Sequence, residues 1–246
     1  MHKIPSQRHR IWAQKQLASA KTLHSCQNRG SRQTFENRHT VNSSEQPGTP
    51  PKQVKFVAQA RIPTQYGTFN MKVFQEEGTG IEHVAMVMGD ITEHALIRIH
   101  SECMTGDVFG SLRCDCGPQL DFAMREIGQA GNGIVLYLRQ EGRGIGLINK
   151  LKAYELQDEG LDTVEANLKL GFPADLRKFD IAGQMLEFLG VKSVNLMTNN
   201  PEKIAALKAY GIEVDERVPV RSDSQPENER YLATKLHKLG HQIDWL

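Results

Sequence analysis

Cysteine is scarce in this chain: there are four among 246 residues, and three of them, Cys103, Cys114 and Cys116, sit close together. That usage excludes a secreted disulfide framework, which needs pairs spread along the sequence, and suits a reducing compartment such as the cytosol. Long apolar runs are missing too. No stretch approaches the roughly 20 residues of a membrane-spanning helix, and no signal-peptide core stands near the start. Aromatic residues are only 7% of the chain and the formal net charge is +1, so neither stacking platforms nor a global field points to nucleic acid or a membrane surface. Acids are absent before Glu36, whereas Lys3, Arg8, Arg10, Lys15, Lys21, Arg29 and Arg32 all precede it.

That basic stretch belongs to a polar segment, residues 1–52, rich in Arg, Ser, Gln and Asn and ending in Gln46-Pro47-Gly48-Thr49-Pro50-Pro51. Too little apolar surface is present to offset the entropy of ordering, so a disordered basic extension is expected. Its composition also resembles an organelle transit peptide. Residues 53–246 are expected to form one domain.

Partial two-residue alternation over 54–62 and 67–74, around a turn at Pro63–Gly67, predicts a hairpin. Further strands are predicted at 83–88 and 95–100. The period then changes. Leu120, Ala123, Met124 and Ile127 recur at helical spacing until Gly128 and Gly131, and Gly133–Leu138 reads as a buried strand. Helices follow at 147–159, 179–189 and 203–210, with Pro201 placed for a helix start, and strands at 194–198 and 212–218. The fold class is therefore mixed α/β, with a β-rich first half that delivers the cysteines and an alternating β/α layer packed beside it.

The cysteines follow a C-x10-C-x-C pattern. Three thiols in one loop cannot all pair, and neighbours two apart rarely bridge. A soft divalent ion, zinc above all, suits them, with a fourth tetrahedral position left open. His100 would close that position, and three buried apolar cysteines are the plain alternative. Ahead of them, Arg98, His100 and Glu102 share one face of an extended strand, which suits either a charged ligand or a solvated edge. Glu141-Gly142-Arg143-Gly144-Ile145-Gly146 precedes a helix and lacks the G-x-G-x-x-G order. It suits a phosphate or a tight turn equally. Asp175, two residues before Arg177, could hold that guanidinium and partly deprotonate it, although taken alone the two read more readily as surface charges. Thr198-Asn199-Asn200-Pro201 gathers donors at a strand end, with Lys203 one turn on.

Four blocks together, RIHSECMTGDVFGSLRCDCGPQL, LRQEGRGIGLINKLKAYELQDEGLDTVEANLKLGFPADLR, LMTNNPEKI and ERVP, resemble the GTP cyclohydrolase II family in its monofunctional form. The resemblance, running from about 54 to 242, implies ring opening of GTP to 2,5-diamino-6-ribosylamino-4(3H)-pyrimidinone 5′-phosphate, formate and pyrophosphate at the start of riboflavin synthesis. It implies one zinc ion per subunit on Cys103, Cys114 and Cys116, Mg²⁺ for the phosphate chemistry, and a homodimer. It further implies a GTP site of Arg98, Ile99, His100, Ser101, Glu102, Gln119, Glu141, Gly142, Arg143, Thr163, Thr198 and Lys203. Tyr154 would act at the reacting ring, Asp175 as proton acceptor, and Arg177 as the group attacking the α-phosphate or stabilising it electrostatically. A competing reading is a paralogous ring-opening hydrolase with a different product; Tyr154 and the Asp175/Arg177 pair favour the full reaction.

Overall fold

The computed structural model describes residues 54–91 and 94–243. The basic extension predicted over residues 1–52 lies outside them. Seven strands form a single mixed sheet: β1 (Val54–Thr64), β2 (Gly67–Glu76), β3 (Glu82–Met88), β4 (Ala95–Ser101), β5 (Gly133–Leu138), β6 (Ser193–Met197) and β7 (Glu213–Val218). Their spatial order is β1-β2-β3-β5-β4-β6-β7. The first four in that order pair antiparallel, and β5, β4, β6 and β7 run parallel. The mixed α/β class holds, but the two halves are one sheet rather than adjoining layers. The reason is that β5 inserts between β3 and β4, so its antiparallel edge joins the hairpin to the parallel half.

The hairpin turns through two residues only, Gln65 and Tyr66, with Thr64 opposite Gly67. Thr64 Oγ1 donates to the Gly67 carbonyl at 2.8 Å and accepts from Tyr66 N at 3.1 Å, which closes the turn locally. Pro63 sits inside β1, tolerated because β1 is an edge strand.

Seven helices are described: α1 (Met104–Asp107), α2 (Cys116–Ala130), α3 (Gly146–Asp158), α4 (Thr163–Lys169), α5 (Asp180–Phe188), α6 (Pro201–Tyr210) and α7 (Glu229–Lys238). Gly128 does not break α2, which runs on to a left-handed cap at Gly131. Instead a Cβ at Gly128 would lie 2.3 Å from the Tyr66 carbonyl oxygen, so glycine lets the helix touch the hairpin turn. One apolar cluster, including Ile97, Ile99, Leu136, Met185, Leu186 and Leu207, packs α5 and α6 against the sheet. A second, with Phe69, Ala123, Ile127, Val135 and Met197, seats α2. The chain leaves β4 for β5 on one side and reaches β6 on the other, so loops after β4, β5 and β6 open one crevice at the carboxyl ends of parallel strands. That is where an open α/β sheet presents a ligand site.

Candidate active site

A half-open cleft with a cavity volume of about 120 Å³ occupies that crevice. The end of β4 brings Arg98, His100, Ser101, Glu102 and Cys103 to it; the loop after β5 brings Glu141, Gly142 and Arg143; and the end of β6 brings Thr198, with Lys203 from α6. Cys114, Cys116, Gln119, Tyr154, Thr163 and Arg177 complete the expected lining. Two expected residues stand behind it. Ile99 is fully buried and contributes its carbonyl, which accepts from Lys203 Nζ at 2.8 Å. Asp175 reaches the cleft only through Arg177.

At one wall the three cysteine sulfurs lie within 4.8 Å of one another, a group that offers three soft donors to a metal ion. Cys103 and Cys114 Sγ are 3.6 Å apart. The cradle is built around glycine: a Cβ on Gly106 would fall 2.9 Å from Cys114 Sγ and 3.3 Å from Cys103 Sγ. Hydrogen bonds from the other two thiols hold the Cys103 thiol down, while sharing with Cys103 and burial push Cys114 up to about 11. The donor chemistry thus fits a cation that would take all three as thiolates. His100 does not fall in the group with the three sulfurs. Its Nε2 bonds Asp107 at 3.0 Å while its Nδ1 is buried without a partner, and Asp107 also accepts from Cys103 N at 2.9 Å and Tyr137 Oη at 2.8 Å.

Glu141 ties the glycine loop to this wall. It accepts from Met104 N at 2.7 Å, from Lys150 Nζ at 2.7 Å and from its neighbour Gly142 N at 2.8 Å. Gly142 N–H is therefore taken, and the loop's free donor is the side chain of Arg143, whose Nη1 is buried without a hydrogen-bond partner. Arg143 holds φ near +60°, a left-handed conformation costly for a residue with a Cβ. Beside it, Gly144 lets the loop approach Leu176, where a Cβ would lie 2.9 Å from Leu176 Cβ. Leu176 N donates to the Arg143 carbonyl at 3.0 Å, which brings the Asp175–Arg177 segment to the cleft.

Cations line the same cleft. Arg98 donates to the Met197 carbonyl at 3.0 Å and Gln119 Oε1 at 2.6 Å, and its Nε is buried without a partner. Burial lowers its guanidinium to about 10. Burial, reinforced by the charges of Arg98, Arg177 and Lys235, pushes Lys203 far below the usual lysine value. No carboxylate neutralises Lys203 among the described residues, so the site holds a repulsion that an anion would relieve. Arg177 differs: its guanidinium grips Asp175 through Nε at 2.9 Å and Nη2 at 2.5 Å, and that grip raises its pKa against the opposing effect of burial. Tyr154 lies on the cysteine side of the cleft. Its Oη lies 3.5 Å from Thr105 Oγ1, itself 3.6 Å from Cys103 Sγ, and burial raises the phenol's pKa.

A model of the family described as GTP cyclohydrolase II matches residues 55–219. The chain belongs to the GTP cyclohydrolase II family. It is an enzyme of the hydrolase class. A GTP cyclohydrolase-2 from Aeromonas hydrophila is 58% identical over 192 residues, covering 77% of this chain and 98% of that protein. One from Shewanella sediminis is 55% identical over 192 residues, 77% of this chain and 94% of its own. Riboflavin biosynthesis protein RibBA of Bacillus subtilis is 57% identical over 185 residues, 74% of this chain but 46% of that protein, so the chain spans about half of that relative's length.

Sequence reasoning left out several lining residues of this family member: Gln140, Lys150, Asn167, Asn199, Asn200, Tyr231, Lys235 and His241 among them. Asn199 and Asn200 lie in a block that was read, yet their side chains serve the fold. Asn199 clasps Val220, and Asn200 caps α6 by accepting from Glu202 N at 2.8 Å. Tyr231, Lys235 and His241 come from α7 and the segment after it. That helix was passed over although Leu232 and Leu236 recur at helical spacing, because its buried face also carries Thr234 and Lys235.

Proposed function

We propose that this chain hydrolyses GTP to 2,5-diamino-6-ribosylamino-4(3H)-pyrimidinone 5′-phosphate, formate and pyrophosphate, the entry reaction of riboflavin synthesis. The supporting observation is one cleft that holds both three convergent thiols and buried cations, with Arg98 and Lys203 lacking carboxylate partners among the described residues and donors on Arg98 and Arg143 left unmatched. A nucleotide joins a base to a polyanion, and the two sets of groups suit its two ends.

Cys103, Cys114 and Cys116 are assigned to one zinc ion, which when bound supplies Lewis-acid polarisation of water near neutral pH. Tyr154, kept protonated by burial, offers a hydrogen bond at the adjacent ring. Arg98, Arg143 and Lys203 bind the triphosphate, whose charge they share with a Mg²⁺ ion. Gln119, Thr163, Thr198 and the Ser101–Glu102 segment position the nucleotide. Of the two roles for Arg177, the geometry favours the electrostatic one. A guanidinium doubly bonded to Asp175 with a raised pKa is a poor nucleophile but a fixed positive charge for the α-phosphate. Asp175 then orients it. We also read the enzyme as a cytoplasmic homodimer. An exposed apolar patch at Val108, Phe109 and Leu112 offers contact area for a second copy, and no described helix is long and apolar enough to cross a membrane.

The test is incubation with GTP and Mg²⁺, following formate and pyrophosphate in one tube. Release of both supports the proposal; GTP left intact, or pyrophosphate without formate, contradicts it.

A further inference from the structure

The family model ends at residue 219, yet Lys235 lines the cleft from beyond it. Lys235 is buried, and its ammonium pairs with Asp115, the residue between Cys114 and Cys116. Asp115 is itself only 2% exposed, so this is an interior ion pair and not a surface contact. Its second oxygen accepts from Gln119 Nε2 at 2.6 Å and from Ser222 Oγ at 3.3 Å.

An ionised carboxylate only accepts hydrogen bonds, so Gln119 must turn its NH₂ toward Asp115. Its carbonyl oxygen then faces the other way, where it accepts from Arg98 Nη2 at 2.6 Å. With Nη1 on the Met197 carbonyl, the guanidinium plane is fixed and Nε is the remaining donor, buried without a protein partner. A neutral residue at 115 would let Gln119 flip and point NH₂ at a cation.

We propose that Asp115 and Lys235 are positioning residues: their ion pair docks α7 against the Cys-x-Cys turn and aims Arg98 Nε at the anionic tail of the substrate. The inference rests on the function proposed above. It makes the segment after residue 219 part of substrate binding, and it makes the residue between two metal-binding cysteines a link, through Gln119, to Arg98.

The experiment uses the full chain and four readouts: formate release from GTP, inhibition by inorganic pyrophosphate, zinc content and denaturant midpoint. Lys235→Met raises KM for GTP and the pyrophosphate inhibition constant together, roughly 10- to 100-fold, the worth of one charge-assisted hydrogen bond. Zinc content stays at the wild-type level, and Lys235→Arg restores most of the binding. Lys235→Met leaves a buried carboxylate unpaired, so loss of fold is the alternative cause of any defect. Asp115→Asn with Lys235→Met removes that charge, and its midpoint recovers while KM stays high. Recovery of KM with the midpoint, or both binding constants within about twofold of wild type, overturns the inference. If wild type releases no formate, the functional reading falls instead. Calorimetric binding of pyrophosphate to wild type and the double variant then decides the positioning role, equal affinity overturning it.

Discussion

Replacing Gly106 by alanine probes the cysteine cradle through a single methyl group. Gly106 lies in α1 with a backbone outside the left-handed region, so alanine brings no backbone strain. Its Cβ would sit 2.9 Å from Cys114 Sγ, 3.2 Å from Cys116 Cβ and 3.3 Å from Cys103 Sγ. The sulfurs cannot all retreat while drawn to a common ion at about 2.3 Å. Overpacking of this kind costs about 1–3 kcal/mol, which corresponds to zinc binding weakened roughly 5- to 150-fold. The higher helix propensity of alanine acts on the fold instead, adding up to about 1 kcal/mol. Zinc affinity should therefore fall while the midpoint of the chelator-treated protein holds or rises. Competition against a chromogenic chelator measures the first and urea denaturation the second. Unchanged zinc affinity would refute the reasoning, because three sulfurs closing on one ion leave no room for that methyl.

Other expectations follow from the charges. Lys203→Met removes a buried, unneutralised cation: ligand-free stability rises at neutral pH by denaturant titration, whereas KM for GTP increases by roughly tenfold or more. His241 is held down to about 2 by burial and by Lys235, Arg177 and Lys203. The unfolded chain therefore binds a proton that the folded one refuses, so stability present above about pH 6.5 is lost as pH falls below it. His241→Gln should flatten that slope in midpoints measured between pH 4 and 7, roughly the range where an unfolded histidine titrates. Asp175→Asn deprives Arg177 of its charged partner, costing about 1–3 kcal/mol in stability and slowing pyrophosphate release more than it raises KM, as steady-state kinetics would show.

Much of the fold was legible because period and punctuation agreed. The hairpin, the buried strand at Gly133–Leu138 and the helix opening at Pro201 fall within a few residues of expectation. The single sheet was not legible, since the order of strands depends on β5 pairing with residues nearly fifty positions away. The helix α4 did carry a signal, a capping box from Asp162 to Glu165, that an apolar count overlooks. The helix α7 carried one as well, Leu232 and Leu236 four residues apart, although the same face buries Lys235 for an ion pair. For the site, residue types and spacing named the thiols and most of the cations. They could not show that Glu141 faces the cysteine loop, since that depends on distant loops meeting; the Asp175–Arg177 pair is local, two residues apart, and only its place beside the cleft was hidden.

The central claim divides labour between two sets of groups in one cleft: thiols and their ion for opening the ring, cations for holding the tail. Cys114→Ser tests it most directly when formate and pyrophosphate are followed together with GTP affinity. The account predicts that formate disappears with the zinc while GTP still binds and pyrophosphate is still released. Formate produced at the wild-type rate by zinc-free Cys114→Ser protein would contradict it.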